Sequence, residues 1–173
     1  FGIQFVDRSF GPILPLYIEH VGVTSSRVPL VAGALFSIMA GTGALGHHFC
    51  GRLLTRLSTR AVVAGGAAVA ALGCALLGAT GNLAAMMAAS AVIGIGIGAA
   101  MTAAYTAAGA VIPSGAHGTG FGVLTSASLT GMAVSPVVAG FLGATGIRAV
   151  FIVDVGLMGF LALIVRSEMI SSD

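Results

Sequence analysis

Six apolar segments of membrane-spanning length follow one another in this chain, with gaps between them too short to hold a soluble domain. A spanning helix needs roughly 20 mainly apolar residues. The segments run at about 1–19, 28–50, 61–80, 83–112, 119–143 and 148–166. The links are His20–Arg27, Gly51–Arg60, Gly81–Asn82, Pro113–Gly118 and Ala144–Ile147. Strands compete poorly. A membrane barrel needs segments of about ten residues with alternating apolar and polar positions, and Ala61–Ala79 does not alternate. Ala, Leu and Met favour helix instead. The expected fold class is an all-α membrane protein with six transmembrane helices.

Composition removes the main alternative. Only 7% of residues are charged and the mean hydropathy is +1.09, whereas a soluble domain carries about 25% charged residues. So little charge cannot cover a water-facing surface, and the lipid bilayer is the implied partner. A net charge of +2 makes no case for nucleic acid. Cys50 and Cys74 are too few for a disulfide framework and read as small buried hydrophobes. The chain opens at Phe1 inside an apolar run, with no basic leader before it. It is therefore expected to be a piece whose N-terminal part is missing.

Charge is clustered in one place. Arg52, Arg56 and Arg60 lie within Gly51–Arg60, between two apolar segments. Short arginine-rich loops stay on the cytoplasmic side. That orientation also places Pro113–Gly118, Arg166 and the C-terminus inside, with Arg27 and Arg148 outside. Glycine is abundant, and in lipid small residues let helix backbones approach closely. Gly94 and Gly98 form such a pair, and Gly118/Gly122 and Gly109/Pro113 are further expected contact or flexing points. Pro12, Pro15 and Pro136 lack the helical donor and are expected to bend their segments.

At these residues the chain resembles the major facilitator superfamily, and more narrowly the C-terminal six-helix half of a twelve-span drug:proton antiporter. Gly51-Arg-Leu-Leu-Thr-Arg-Leu-Ser-Thr-Arg60 is similar to the family's cytoplasmic signature between helices 8 and 9. It departs at Thr55, where an acidic residue is expected, and at Ser58, where Gly is common. Phe10–Ile18 resembles helix 7, and Gly131-x-x-x-Ser135-Pro136-x-x-x-Gly140 resembles the antiporters' Gly-Pro-rich motif. Gly146–Phe151 resembles the start of helix 12. The resemblance implies half of a superfamily bundle, with residues 1–173 as one unit and Gly51, Arg52, Arg56 and Arg60 as a cytoplasmic gating loop. It implies a small-molecule substrate, exchange with protons, the missing N-terminal half as partner, and a multi-pass position in the plasma membrane. The third helix is expected on the lipid-facing outside.

Asp7 and Arg8 are the sharpest site candidates. Charges within a membrane segment cost roughly 2.5–3.5 kcal/mol each on insertion scales. Gln4, Asp7 and Arg8 share one helix face at i, i+3 and i+4. One reading makes this a cavity face with a proton-exchanging carboxylate; another makes it a neutralised pair locking helices together, or a pair at the membrane interface. Thr102, Tyr105, Thr106 and Gly109 form a hydroxyl-bearing stripe on the fourth segment, and Thr125, Ser128 and Ser135 one on the fifth. Both suit a solute path or bonds between helices equally well. His47, His48 and Cys50 read as interfacial, and Asp154 as reaching toward Arg148 or the outer surface. No cofactor, metal site or catalytic residue set is expected, and the chain does not read as an enzyme. The preferred function is proton-coupled efflux of small amphipathic compounds. The rivals are a nutrient symporter or facilitator of the same fold and a non-transporting membrane receptor or scaffold.

Overall fold

The computed structural model describes residues 1–170. Six helices follow in order: α1 (Gly2–His20), α2 (Val28–Leu54), α3 (Thr59–Ala79), α4 (Leu83–Val111), α5 (His117–Thr145) and α6 (Ile147–Ile170). A single 3-10 turn, Ser114–Ala116, leads into α5. Local chemistry sets the starts. The Ser58 hydroxyl accepts from the Ala61 amide at 3.2 Å, and the Asn82 side chain accepts from Ala84 and Ala85 at 2.9 and 3.2 Å. Both cap amides that lack an intrahelical partner. Pro29 stands in the first turn of α2, where its missing N–H costs nothing.

Five helices are long and apolar enough to cross a membrane: α2, α3, α4, α5 with its leading turn, and α6. Helix α1 is not among them, because Gln4, Asp7, Arg8 and Glu19 dilute its apolar content. Its other face nevertheless carries Val6, Phe10, Leu14 and Ile18, all fully buried. Around the bundle Leu30, Val111, Phe141, Ile152 and Leu163 are exposed. Large side chains of this kind need lipid, not water, as their neighbour.

The helices form two groups. Helix α4 packs on α2 and α3; helix α1 packs on α5 and α6; the α3–α6 contact joins the groups. Helix α3 is thus more than an outer support. Gly66, Ala67, Ala70, Gly73, Cys74 and Leu77 face the interior, while Val69, Leu72 and Leu76 stay exposed.

Glycine decides how close these helices come. Gly94 and Gly98 lie on the side of α4 that meets Met39 and Gly43 of α2. Gly96, about 200° around the helix, meets Gly66 and Ala70 of α3. A Cβ at Gly96 would stand 2.6 Å from the Ala70 amide nitrogen, and one at Gly66 2.7 Å from the Gly96 carbonyl oxygen. These are backbone atoms and cannot rotate away. On α5, Gly131 meets the Phe1 backbone, and the Ser135 hydroxyl donates to the Phe5 carbonyl. Gly118 and Gly122, expected as contacts, face open space, and Gly109 lies against Phe121.

The arginine-rich stretch is shorter as a loop than its composition suggested. Helix α2 continues through Gly51 and Arg52 to Leu54, and α3 already contains Arg60. Only residues 55–58 link them, with Arg56 among them. Arg52 in the last turn of α2 complements the negative helix end, and the Ser58 cap starts α3 early. Helix α1 is continuous through Pro12 and Pro15, and α5 through Pro136.

Filling the α2–α4 contact is expected to disrupt the bundle. Gly98→Val should destabilise the full-length protein by at least the about 1–3 kcal/mol typical of overpacking, read as an earlier loss of the monodisperse peak on heating in detergent. Gly65→Val, at a glycine with open space around it, should leave that profile unchanged.

Candidate functional site

The polar face of α1 opens onto a cleft of about 520 Å³ between α1, α2 and α4. Asp7, Arg8 and Gly11 form one wall. Phe36, Met39, Gly43 and His47 of α2 form a second, and Gly94, Ile97 and Gly98 of α4 a third. Met39 and Gly43 lie midway along α2, and Gly94 to Gly98 midway along α4. Asp7 and Arg8 therefore share a cleft with the middle stretches of α2 and α4. The same glycines that bring α2 and α4 together floor the cleft.

Arg8 Nε is 3.4 Å from Asp7 Oδ2. The side chains are 53% and 31% exposed, so the pair is open to the cleft. Both charges belong to one helix, so this ion pair does not itself tie α1 to a neighbour. Pro12 and Pro15 cannot donate to the carbonyls of Arg8 and Gly11, their i−4 residues. Both of those residues line the cleft, which gains acceptor capacity there. Gln4 is half-buried on the same helix, outside the lining residues of this cleft.

A second hollow, of about 560 Å³, adjoins the first. It is lined by Thr102, Tyr105, Thr106 and Gly109 of α4, Phe121 of α5, Met101 and His47. The Tyr105 ring stacks on Phe121 at 6.4 Å and 6°, and its hydroxyl lies 3.4 Å from Ser128 Oγ. Thr106 donates to the Thr102 carbonyl at 2.9 Å. The two hydroxyl stripes thus divide. Thr102, Tyr105 and Thr106 line the hollow, Ser128 and Ser135 are buried at helix contacts, and Thr125 stands exposed.

Two residues outside the expected site have specific partners here. His47 lines both hollows, and its Nδ1 shares a 2.6 Å hydrogen bond with Thr102 Oγ1. His48 turns away and meets Phe49 edge-on at 5.1 Å. The available signal was the i+4 spacing of His47 from Gly43 and the i+8 spacing from Met39, which puts all three on one face. Asp154 is not at the outer surface near Arg148. It is fully buried, with its Oδ2 2.6 Å from Ser9 Oγ of α1. No periodicity distinguishes an inward aspartate from an outward one in so apolar a helix.

At the arginine-rich end, Gly51, Arg52, Arg56 and Arg60 are all exposed, and the Arg52 guanidinium lies 5.4 Å over the Phe49 ring. The Thr55 hydroxyl donates to the Arg52 carbonyl at 2.8 Å, so this position supports the end of α2.

The family profile described as Major Facilitator Superfamily matches residues 1–168. The chain belongs to the major facilitator superfamily. Its six helices make half of a bundle of that superfamily, which is a family of membrane transporters and not of enzymes. Among its relatives is the multidrug resistance protein MdtG of Serratia proteamaculans, 28% identical over 149 residues, covering 85% of this chain and 36% of the relative. The multidrug resistance protein MdtG of Dickeya zeae is 27% identical over 157 residues, covering 88% and 38%. The chain thus spans little more than a third of the length of these relatives. It is a multi-pass membrane protein.

The cleft makes a direct prediction about water access. With Cys50 and Cys74 replaced by Ser, single cysteines at Ala40 and Ile97 should react with a charged, water-soluble thiol reagent. One at Ala67, fully buried in α3, should not. No labelling at Ala40 and Ile97 would mean that the cleft holds no water.

Proposed function

We propose that this chain is the C-terminal half of a twelve-helix secondary transporter of the plasma membrane that exports small amphipathic compounds in exchange for protons. The observation that carries this is an open ion pair, Asp7–Arg8, in a cleft whose other walls are mainly apolar, with His47 as the remaining polar side chain. The names of the relatives, multidrug resistance proteins, support efflux.

The cleft suits such a substrate in chemical terms. Phe36, Met39 and Ile97 offer apolar surface to a ring or chain, and methionine adapts to varied shapes. Asp7 offers one negative charge. When ionised it is balanced by Arg8; a proton on Asp7 leaves Arg8 uncompensated and raises the charge of the site by one. A proton and a cationic amphiphile then compete for one carboxylate, which is the condition for exchange. Thr102, Tyr105, Thr106 and His47 extend a polar route from the cleft toward the arginine-rich end. On this reading the two halves rock about the midplane site, as in other inverted-repeat transporters. Arg52, Arg56, Arg60, Pro113–Gly118 and Arg166 face the cytoplasm, as the positive-inside rule requires.

The test is Asp7→Asn in the full-length protein reconstituted into vesicles with an imposed proton gradient. Gradient-driven flux should fall to background, with protein level in the membrane and substrate exchange at equilibrium retained. Undiminished gradient-driven flux in Asp7→Asn would refute the assignment. Orientation is checked separately: a cysteine replacing Arg56 should be labelled by an impermeant reagent in inside-out vesicles and spared in intact cells.

A further inference from the structure

The transport reading leaves one buried carboxyl without a task. Asp154 of α6 is fully buried, as is its neighbour Ser9 of α1. Asp154 Oδ2 lies 2.6 Å from Ser9 Oγ, and Asp154 Oδ1 has no partner. Among the described residues no arginine or histidine makes a salt bridge to it. Ser9 Oγ also lies 2.8 Å from the Val6 carbonyl oxygen.

These two distances constrain where the protons are. A serine hydroxyl has one proton to donate, together with lone pairs that accept. The Val6 carbonyl can only accept. If Ser9 donates to Val6, the bond to Asp154 requires the carboxyl to be the donor, from Oδ2–H to Ser9 Oγ. If Asp154 is ionised, Ser9 must turn its proton to Oδ2, and the Val6 bond is lost. The ionised state would also leave a carboxylate in an apolar interior with one hydrogen bond and no cation, which is strongly disfavoured. The arrangement with both short contacts satisfied is the neutral acid.

We propose that Asp154 is a proton-binding site separate from Asp7, occupied in this conformation, and that it can lose its proton only when α6 parts from α1. Ionisation sends the Oδ2 proton to water, and the Ser9 hydroxyl then rotates from Val6 to the carboxylate. Neither group is reached by water while the helices are closed. Few other titratable groups face it. Helix α3 offers Cys74, fully buried and within electrostatic reach. Helix α1 offers Tyr17, whose hydroxyl is committed to the Gly78 and Thr80 carbonyls, and Asp7 and Arg8 on its cleft side. Helix α5 carries only His117, at its first residue; α6 itself carries Arg148 near its start and Arg166 and Glu168 in its last turns, and α3 carries Arg60 at its start. Ser9 directly follows Arg8, so the state of Asp154 bears on the turn of α1 that presents the ion pair.

The experiment uses the full-length protein. Infrared spectroscopy at neutral pH should show a protonated-carboxyl C=O band that disappears in Asp154→Asn and survives in Asp7→Asn. In Ser9→Ala the band should persist and move to higher frequency, since the acid loses its acceptor. A spectrum that Asp154→Asn leaves unchanged overturns the proposal, as does a band that Ser9→Ala does not move. Opening is read by the rate at which a permeant maleimide labels Cys74 in a variant with no other cysteine. The rate should climb more steeply with pH with Asp154 present than in Asp154→Asn. Identical pH profiles would show that losing the proton does not part the helices. Neither readout involves transport, so both stand whether or not Asp7 couples flux to protons.

Discussion

The backbone-to-backbone contacts of α4 are the constraint on which the rest of this half depends. In a bilayer no hydrophobic effect draws helices together, so association rests on close packing. Helix α4 obtains it on two sides at once, through Gly94 and Gly98 toward α2 and Gly96 toward α3. Alternation at every second residue turns successive glycines to nearly opposite faces. One five-residue run, Gly94–Gly98, thereby holds three helices at a separation that any side chain would increase. Half of the membrane-length window of α4 is buried, against 22% for α2. Helix α4 is the fixed member, and α2 leans on it.

The cleft follows from that arrangement. Glycines at the α2–α4 contact leave no side chains to fill the space in front of it, so the floor is backbone and the volume stays open. Helix α1 supplies the missing wall, touching α2 and α4 far less extensively than it touches α5. Its buried face is bonded to α5 through Ser135 and to α6 through Ser9. Its polar face is left free. A helix anchored on one side and charged on the other is suited to present Asp7 and Arg8 without using them to hold the fold together.

The aspartates of α1 and α6, Asp7 and Asp154, have different surroundings for one side chain. Asp7 has a guanidinium beside it and an open cleft, so both its charge states have somewhere to exist. Asp154 has a hydroxyl, an unused oxygen and a closed apolar interior. A carboxylate has a cost in lipid; Asp7 has Arg8 beside it, and Asp154 has the Ser9 hydroxyl.

Much of this was determined by sequence alone. Segment length and apolar content fix the number and type of helices, because a backbone in lipid must satisfy its own hydrogen bonds. The i, i+3, i+4 spacing places Gln4, Asp7 and Arg8 on one face whatever surrounds them. The Gly94/Gly98 spacing announces a close contact, although the same spacing at Gly118/Gly122 faces open space. What the sequence could not decide is which helix each face meets. In α6 nearly every position is apolar, so periodicity gives no inward direction for Asp154; in α2 spacing puts His47 on the face of Met39 and Gly43 but does not say which helix that face meets. Ser128, Ser135, Thr102 and Tyr105 read alike as hydroxyl stripes, yet the first two are buried at helix contacts and the last two line a hollow. Those outcomes belong to tertiary structure, because in a lipid-facing bundle the choice of neighbour is made by shape complementarity between distant segments and not by the local pattern of polarity.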